Sequence, residues 1–564
     1  MGIPSYFSHI LRNYNDIIIH YLQENYNIDN LYLDCNSIVY DAVKNVDINQ
    51  NETEKFELMV INNVCEKIVY YINKFTPKKN IFIAFDGVAP RAKLDQQRTR
   101  RYKTWFQSEL KKKLYEFNNI KKVSMSWNTS SITPGTLFMN KLNKALTERF
   151  NPKNKEKHNN PSSFYKKIGL QYQNTEDYNN LNIILSTSDE DGEGEHKIFD
   201  YIRNNKESHK SSKTIIYGLD ADLIMLCLNH VDIFDKLYLH RETPEFMKSM
   251  GNTLDKNNDY LFSISSLDKI ICSEMNMNNS KNYVFLCFLL GNDFLPHFPA
   301  LNIRSDGIDK ILNAFKLLKS KQKNFSLLNN DNSFIVWKNF RKLIEVLCEQ
   351  EEQSFIDEYT KIKKMSNRVL QNKNENQSEN LNDKEQLEKN IDYIILNYPS
   401  LDRSIEDNID PLNEGWINRY YENLFNIENI NDKIIKEICI NYVEGLEWTF
   451  YYYNSGCPDW NWHYKYNYPP LLNDLIKYIP YFNTNLIHKN QNKNTISPIV
   501  QLSYVLPYSS LNLLPENIRK KLINNHKEWY RDDFELKWAF CKYIWESHVE
   551  LPEIDIENIK KNII

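Results

Sequence analysis

The sequence predicts an α/β fold with a mainly parallel sheet over residues 1–320 and a mostly helical, aromatic-rich second region over 392–564. Three observations support this prediction. Short apolar runs end in Asp or Glu residues, segments with helical spacing alternate with these runs, and aromatic residues crowd the second region. Alternating strands and helices are typical of parallel sheets, in which ligands bind beyond the carboxyl ends of the strands.

The predicted elements follow one another along the chain. Up to residue 117 they are a helix over 5–25, a strand over 31–34, a turn or helix at 36–40, a helix over 54–75, a strand over 81–85 and a helix over 90–117. Later elements are a helix through Leu142, strands over 181–185, 214–217 and 238–240, and helices over 197–203 and 281–290. Thr133 is expected to cap the helix through Leu142. Residues 151–180 are polar and predict an insertion or a mobile loop, and the polar residues 365–390 predict a linker or a surface excursion.

The helix that begins at Pro90 has a basic face. Its members are Lys93, Gln97, Arg100 and Arg101. The spacing i, i+4, i+7 and i+8 places them within about 100° of arc on a helix. Three cations on one face suit an anion, and phosphate is the obvious candidate. The alternative is a solvated basic surface with no ligand.

Acidic residues stand at the ends of the predicted elements. The candidate catalytic and metal-binding acids are Asp34, Asp86, Glu193, Glu195, Asp220, Asp222 and Asp293. Such a cluster is costly unless cations neutralise it, and hard divalent ions such as Mg²⁺ or Mn²⁺ suit carboxylate oxygens. Two ions about 4 Å apart would stabilise both the attacking and the leaving oxygen of a phosphodiester.

The DGEGEH stretch needs its glycines. On a regular helix Glu193 and Glu195 would point about 200° apart, so the backbone must bend for both to reach one site. His196 has no His or Cys at ligand spacing, which favours a structural role. Residues 189–191 are expected to form a solvated turn and not to ligate metal directly.

Composition narrows the class of protein. The net charge of −4 gives no global attraction to nucleic acid, so any such binding must use local patches. Nine scattered cysteines argue for reduced thiols inside a cell, in the cytoplasm or nucleus. The apolar run over 283–290 is too short to span a membrane, and no signal peptide is visible. Without Walker, Rossmann or Ser-His-Asp patterns, the residues indicate metal-dependent phosphodiester hydrolysis.

Nine stretches of the chain form a recognisable set of motifs, namely MGIPSYF, LYLDCNSIVY, FDGVAPRAKLDQQRTRR, SITPGTLFM, DGEGEHKIFDYIR, YGLDADLIMLCL, FLLGNDFLPHFP, GWINRYY and GLEWTFYYYNSGCPDWNW. Together they resemble the motifs of the XRN-type 5′→3′ exoribonucleases. The resemblance implies a PIN/flap-nuclease-like core over 1–320, a connecting segment over 321–391, and a second conserved region over 392–564 that completes the active-site pocket. It also implies Mg²⁺-dependent RNA decay, in which 5′-monophosphorylated single-stranded RNA is cut to mononucleotides.

Carried over by motif, the seven acids are the metal ligands, and the four residues of the basic helix face hold the 5′-monophosphate. The family His that stacks on terminal bases falls on Tyr40, which keeps a flat ring but loses the imidazole. The stacking Trp is Trp460 or Trp462, and the motif does not choose between them. The chain also lacks the long C-terminal extension of the large cytoplasmic members. It is expected to act as a monomer, and the sequence does not identify its protein partners.

Two other functions remain open at this stage. A structure-specific 5′ flap nuclease acting on DNA would share the acids but not the tyrosine-rich second region. A catalytically dead RNA-binding scaffold would not need all seven acids.

Overall fold

In the computed structural model, the described part of the chain comprises residues 3, 5–22, 26–46, 53–120, 127–150, 181–242, 258–375, 383–487 and 495–563. The predicted insertion over 151–180 lies outside these residues, as does part of the predicted linker, residues 376–382. None of the helices in the described ranges combines the length and the apolar character that crossing a bilayer requires.

The main sheet has seven strands in the order β1-β7-β6-β5-β2-β3-β4. Their bounds are β1 Ile18–His20, β2 Asn30–Asp34, β3 Asn80–Ala84, β4 Asn182–Ser186, β5 Lys213–Tyr217, β6 Lys236–His240 and β7 Tyr260–Ser263. Strands β6, β5, β2, β3 and β4 run parallel, while β7 and β1 add antiparallel pairs at one edge. The predicted mainly parallel α/β fold is therefore confirmed. A separate small sheet pairs β8 Glu535–Lys537 with β9 His548–Glu550.

Helices cover both faces of the main sheet and form the second region. In the first part they are α1 Tyr6–Asn13, α2 Asn36–Lys44, α3 Thr53–Phe75, α4 Arg91–Phe117, α5 Leu137–Phe150, α6 Gly194–Asn204, α7 Lys206–His209, α8 Asp222–His230, α9 Ile264–Met275, α10 Lys281–Cys287 and α11 Gly307–Lys321. They continue as α12 Trp337–Cys348, α13 Glu351–Glu375, α14 Asp383–Leu396, α15 Tyr398–Leu401, α16 Ser404–Ile409, α17 Trp416–Phe425, α18 Asp432–Ser455, α19 Leu472–Leu475, α20 Pro498–Val505, α21 Glu516–Asn525 and α22 Ile556–Ile563. Short 3-10 turns join several of them, among them Phe288–Leu290 and Ile544–Glu546.

Two local predictions are wrong. The helix predicted over 5–25 ends at Asn13. A 3-10 turn over Asn15–Ile17 follows, because the β-branched residues from Ile18 form β1 and pair with β7. Thr133 does not cap α5. Thr136, next to the helix start, accepts the Met139 N–H at 3.3 Å, while the Thr133 hydroxyl accepts a hydrogen bond from Arg101.

The second region packs onto helices that cover the main sheet. On one face, α2, α3 and α5 bury residues such as Val60 and Leu142 against the strands. On the other face, α6 and α8 share a core with α18, to which Phe199 and Tyr453 both belong. Helix α4 joins a further core through Leu94, which packs with residues of α20–α22. The aromatic second region is thus brought to the carboxyl edge of the sheet.

Candidate active site

Three adjacent parallel strands carry acids at their carboxyl ends. Asp34 is the last residue of β2, Asp86 follows β3 on one side, and Asp220 follows β5 on the other. Glu193 and Glu195 lie at the start of α6, which follows β4. The remaining two acids are Asp222, the first residue of α8, and Asp293, in the loop after α10. The structure thus brings all seven predicted acids to one edge of the sheet.

A glycine allows the acids to approach each other. Glu193 has an extended backbone and Gly194 begins α6, so Glu193 and Glu195 are both buried at the same site. The Gly194 N–H donates to Asp86 Oδ1 at 2.7 Å. A Cβ at position 194 would lie 2.6 Å from Asp34 Oδ1, closer than side chains tolerate. The predicted bend in the DGEGEH stretch is therefore present.

The acids repel one another in a setting that disfavours charge. Burial, together with neighbouring acids, raises the pKa of Asp34, Asp86 and Glu195. Burial also raises the pKa of Asp222 to about 7, with a contribution from Asp293. Asp220 is exposed, and its charge acts on Asp34. Ionised together, these groups require a compensating cation.

Three buried carboxylate oxygens indicate that this site binds a cation. Asp34 Oδ1, Glu195 Oε2 and Asp222 Oδ1 are buried with no hydrogen-bond partner among the described residues. Hard oxygen donors of this type suit Mg²⁺ or Mn²⁺. As placed, the described residues contain no group of three or more His, Cys, Asp or Glu side chains ready to hold one metal ion. The donor set fits a divalent cation chemically, and side-chain rotation would be needed to bring three donors onto it.

Lys93 links the basic helix to the acids. Its Nζ lies 2.5 Å from Glu193 Oε2 and 2.7 Å from Asp293 Oδ2. Although burial opposes ionisation, Asp293 and Glu193 raise the pKa of Lys93. In turn, and again against the effect of burial, the lysine lowers the pKa of Asp293. Lys93 and Asp293 are therefore held in their charged forms, and Glu193 shares the same ammonium group.

The other members of the basic face lie one to two turns further along α4. Gln97 is buried, and its Oε1 has no hydrogen-bond partner among the described residues. Arg101 donates to Thr133 Oγ1 at 2.7 Å, and burial lowers the pKa of its guanidinium to about 10. The charge of Arg100 acts on both Arg101 and Asp293. Two close guanidinium groups beside a buried amide form a surface suited to an anion.

Sequence reasoning missed two groups that contact the acids. The Tyr452 hydroxyl donates to Glu193 Oε1 at 2.6 Å, and the Asn36 amide donates to Asp86 Oδ2. Both residues lie in the quoted motifs, which is the signal that could have singled them out. His196 lies beneath Tyr452 with ring centroids 3.7 Å apart, in agreement with its expected structural role.

The three candidate stacking residues differ in exposure. Tyr40 on α2 is half-buried, and its hydroxyl lies close enough to Arg101 to influence that charge. Trp462 is 8% exposed and stacks on Trp448, with centroids 5.3 Å apart. Trp460 is partly buried against the core of α20–α22. Tyr40 thus lies on the Arg101 side of the site, whereas Trp462 lies beside the aromatic residues of α18.

An acidic pocket at the carboxyl edge of a parallel sheet, bordered by a basic helix, indicates a nuclease of the α/β class. Residues 1–242 match the family described as XRN 5′-3′ exonuclease N-terminus. Residues 277–397 and 395–563 match the Xrn1 helical domain. The chain therefore belongs to the XRN 5′-3′ exonuclease family, which confirms the resemblance of its motifs.

Similar proteins include 5′-3′ exoribonuclease 2 of Gallus gallus, which is 26% identical over 99% of this chain and 69% of its own length. The 5′-3′ exoribonuclease 1 of Saccharomyces cerevisiae is 27% identical over 98% of this chain, which spans 42% of that protein. Among solved structures, the catalytic core of Rad2 with DNA covers 75% of this chain and 86% of its own, at 14% identity and a TM-score of 0.29. A likeness at that TM-score carries no conclusion.

Proposed function

We propose that this protein is a Mg²⁺-dependent 5′→3′ exoribonuclease that degrades single-stranded RNA bearing a 5′-monophosphate. The observation that carries this proposal is the contact of Lys93 with both Glu193 and Asp293. Because Lys93 also belongs to the basic face of α4, the phosphate-binding surface adjoins the acids. A 5′-phosphate anchored on α4 would leave the first phosphodiester of the strand at the acidic pocket, so that mononucleotides are released.

The proposed function assigns a separate role to each group of residues at the site. The seven acids would hold two divalent cations, which when bound would stabilise the charge on the attacking and leaving oxygens of the phosphodiester. Lys93 keeps Asp293 ionised and forms an ion pair with Glu193, and Tyr452 orients Glu193 through its hydrogen bond. Arg100, Arg101 and Gln97 would bind the terminal phosphate, with Tyr40 stacking on a base nearby.

Recognition of the 5′ end follows from charge and enclosure. A 5′-hydroxyl would leave the cations of α4 unpaired, whereas a monophosphate would accept hydrogen bonds from them. The Arg101 side chain is half-buried and already contacts Thr133, so we expect a triphosphate or cap to be too large for the pocket. Loss of one charge-assisted contact from Arg101 would cost on the order of 2 kcal/mol.

The deciding experiment compares one RNA sequence with 5′-monophosphate, hydroxyl, triphosphate and capped ends, and the matching DNA, in Mg²⁺ and in EDTA. The monophosphorylated RNA should be degraded fastest, and EDTA should stop the reaction. Equal rates on all four RNA ends would refute the pocket, and preference for DNA would favour a flap-type nuclease.

Two variants with matched controls test the roles of the residues. Asp86→Ala should abolish degradation while the fold survives, whereas Asp189→Ala, in an exposed turn, should retain it. Arg101→Ala should lose most of the preference for monophosphate over hydroxyl, about 30-fold for 2 kcal/mol. Lys112→Ala, exposed on the same helix, should keep that preference. Near-normal turnover by Asp86→Ala at saturating Mg²⁺ would contradict the metal assignment.

A further inference from the structure

A stacked aromatic pair, in which one ring is exposed and the other half-buried, lies in the loop before β9. Trp545 is 41% exposed, and its indole stacks on the ring of Tyr543 with centroids 4.3 Å apart and planes 23° from parallel. Stacking on Tyr543 covers one side of the indole, which leaves the exposed area on the rest of the ring. Such a flat surface is the kind on which a nucleic-acid base stacks.

Side chains from elsewhere in the fold fix this loop in place. Lys103 of α4 donates from Nζ to the carbonyl oxygens of Trp545 at 2.7 Å and Ser547 at 2.9 Å. Arg304 forms an ion pair with Glu546 at 2.6 Å and lies over the Tyr543 ring. None of these contacts uses the indole of Trp545. The ring is therefore presented by a fixed backbone and is not needed to hold it.

The loop borders the same helix that carries the phosphate pocket. Lys103 and Arg101 are two residues apart on α4, so their side chains point about 200° apart, to opposite flanks of the basic face. Tyr40 lies on the Arg101 flank, and Trp545 lies on the Lys103 flank. The charges of Arg100 and Asp293 reach Lys103, so this flank is close to the acids as well.

Between the two flanks the helix surface is open. Thr104 and Ser108 follow Arg100 at i+4 and i+8, which places them on the same face, and both are exposed. Their small polar side chains leave room above α4. This surface continues the basic face away from the phosphate pocket and has Trp545 at its side. A strand that has passed the acids and leaves them on the Lys103 flank, which the charge of Asp293 reaches, would run beside Trp545.

We propose that Trp545, backed by Tyr543, is a stacking site for a base of single-stranded RNA on the 3′ side of the nucleotides held in the terminal pocket. The inference rests on the proposed function and adds a downstream subsite to it. Lys542, whose ammonium lies 4.9 Å from the Tyr543 ring, supplies a cation beside the pair. The site has no side chain that reads base edges, so it accepts any base and raises affinity only for strands long enough to reach it.

The test measures the binding of two 5′-phosphorylated RNAs in EDTA, a trinucleotide and a 12-mer, and their KM for degradation in Mg²⁺. Trp545→Ala should bind the 12-mer at least about fivefold more weakly than the parent does, as expected for loss of one stacked base. Its affinity for the trinucleotide should be unchanged. Trp545→Phe should recover part of the loss, whereas Trp545→Leu, which keeps apolar bulk without a ring, should not.

The matched control is Phe482→Ala, which removes another exposed aromatic ring, 71% exposed, far along the chain. It should bind both RNAs as the parent does, and all these variants should melt at the parent temperature. Equal loss on the short and long RNAs, or no loss on either, would overturn the downstream site while leaving the proposed function intact. A parent protein that neither binds nor degrades either RNA would instead refute the proposed function, and this site with it.

Discussion

Lys93 Nζ lies 2.5 Å from Glu193 Oε2, so a cation of the predicted phosphate-binding face is also the counter-ion of a predicted metal ligand. The same ammonium group contacts Asp293 at 2.7 Å. These two acids thus share one positive charge contributed by α4. If Lys93 moved toward a bound phosphate, Glu193 and Asp293 would lose its positive charge and could bind a metal ion instead. Binding of the terminal phosphate and binding of metal at the reacting bond would then be coupled through this one side chain.

Lys93→Met should lower the stability of the protein most strongly when no divalent cation is present. Removal of one partner leaves buried carboxylates without their cation, which typically costs about 3–5 kcal/mol. Thermal melting in EDTA should therefore drop, and added Mg²⁺ should narrow the difference from the parent. Lys112→Met, an exposed lysine on the same helix, provides the control and should melt like the parent. A Lys93→Met deficit that is unchanged by Mg²⁺ would argue against a cation site at these acids.

The positions of the strand-end acids were predictable because they depend on local pattern. A short apolar run followed by Asp, as at Asp34 and Asp86, places a carboxylate at the edge of a parallel sheet whatever the rest of the chain does. Strands β1 and β7 were not predicted, because each is only three or four residues long and depends on pairing with the other across the chain. Helical periodicity likewise identified the basic face of α4, but it did not predict the contacts of Lys93 with Glu193 and Asp293.

Contacts between distant segments were beyond sequence reasoning. Tyr452 and Glu193 are 259 residues apart, and nothing in the tyrosine run indicates which hydroxyl points at the acids. Thr133 was expected to cap a helix, whereas it pairs with Arg101 from another element. Such pairings depend on how α18 and α4 pack on the sheet, which is settled by the whole core and not by neighbours in sequence.

Tyr452→Phe should weaken the use of Mg²⁺ without unfolding the protein. The change removes the donor to Glu193 Oε1 but keeps the ring, which stacks between His196 and Trp448. Groups that orient a metal ligand typically contribute 10–100-fold in metal affinity or activity. The Mg²⁺ concentration for half-maximal degradation should therefore rise by about tenfold or more.

The control for this variant is Tyr451→Phe on the same helix, because the Tyr451 hydroxyl contacts Asn485 at 3.3 Å and the acid that acts on it, Glu447, is not one of the seven candidate metal ligands. It should leave the Mg²⁺ dependence unchanged. Identical Mg²⁺ curves for the parent and Tyr452→Phe would show that the hydroxyl does not orient Glu193 for metal binding.

Trp462→Ala and Tyr40→Ala should damage the protein in different ways. Trp462 is 8% exposed and stacked on Trp448, so its loss should lower the free energy of unfolding by about 3–5 kcal/mol. Tyr40 is only half-buried, so Tyr40→Ala should melt close to the parent but stall on RNA hairpins. Tyr40→His keeps a flat ring and should retain most activity. Hairpin degradation by Tyr40→Ala at the parent rate would exclude a stacking role for this ring.

The stability of the protein should rise with pH above pH 8 because of Lys103. Burial lowers the pKa of Lys103 to about 8, whereas in an unfolded chain the value is about 10.4. Between these two values the unfolded chain binds more protons than the folded one, so raising the pH favours the folded state. Loss of the proton leaves two N–H groups, enough for both carbonyl contacts, at Trp545 and Ser547.

The measurement is the free energy of unfolding from pH 7 to 9.5 for the parent, Lys103→Met and Lys112→Met. The contribution of Lys103 should amount to about 1 kcal/mol per pH unit above pH 8. Lys103→Met should lose this gain, because it has no group to titrate, whereas Lys112→Met should follow the parent. Below pH 8 the parent buries a charged ammonium group, which lowers its stability. Lys103→Met removes this unfavourable burial but also loses two hydrogen bonds. If the curves of Lys103→Met and the parent run parallel through pH 8–9.5, the buried lysine is not the titrating group.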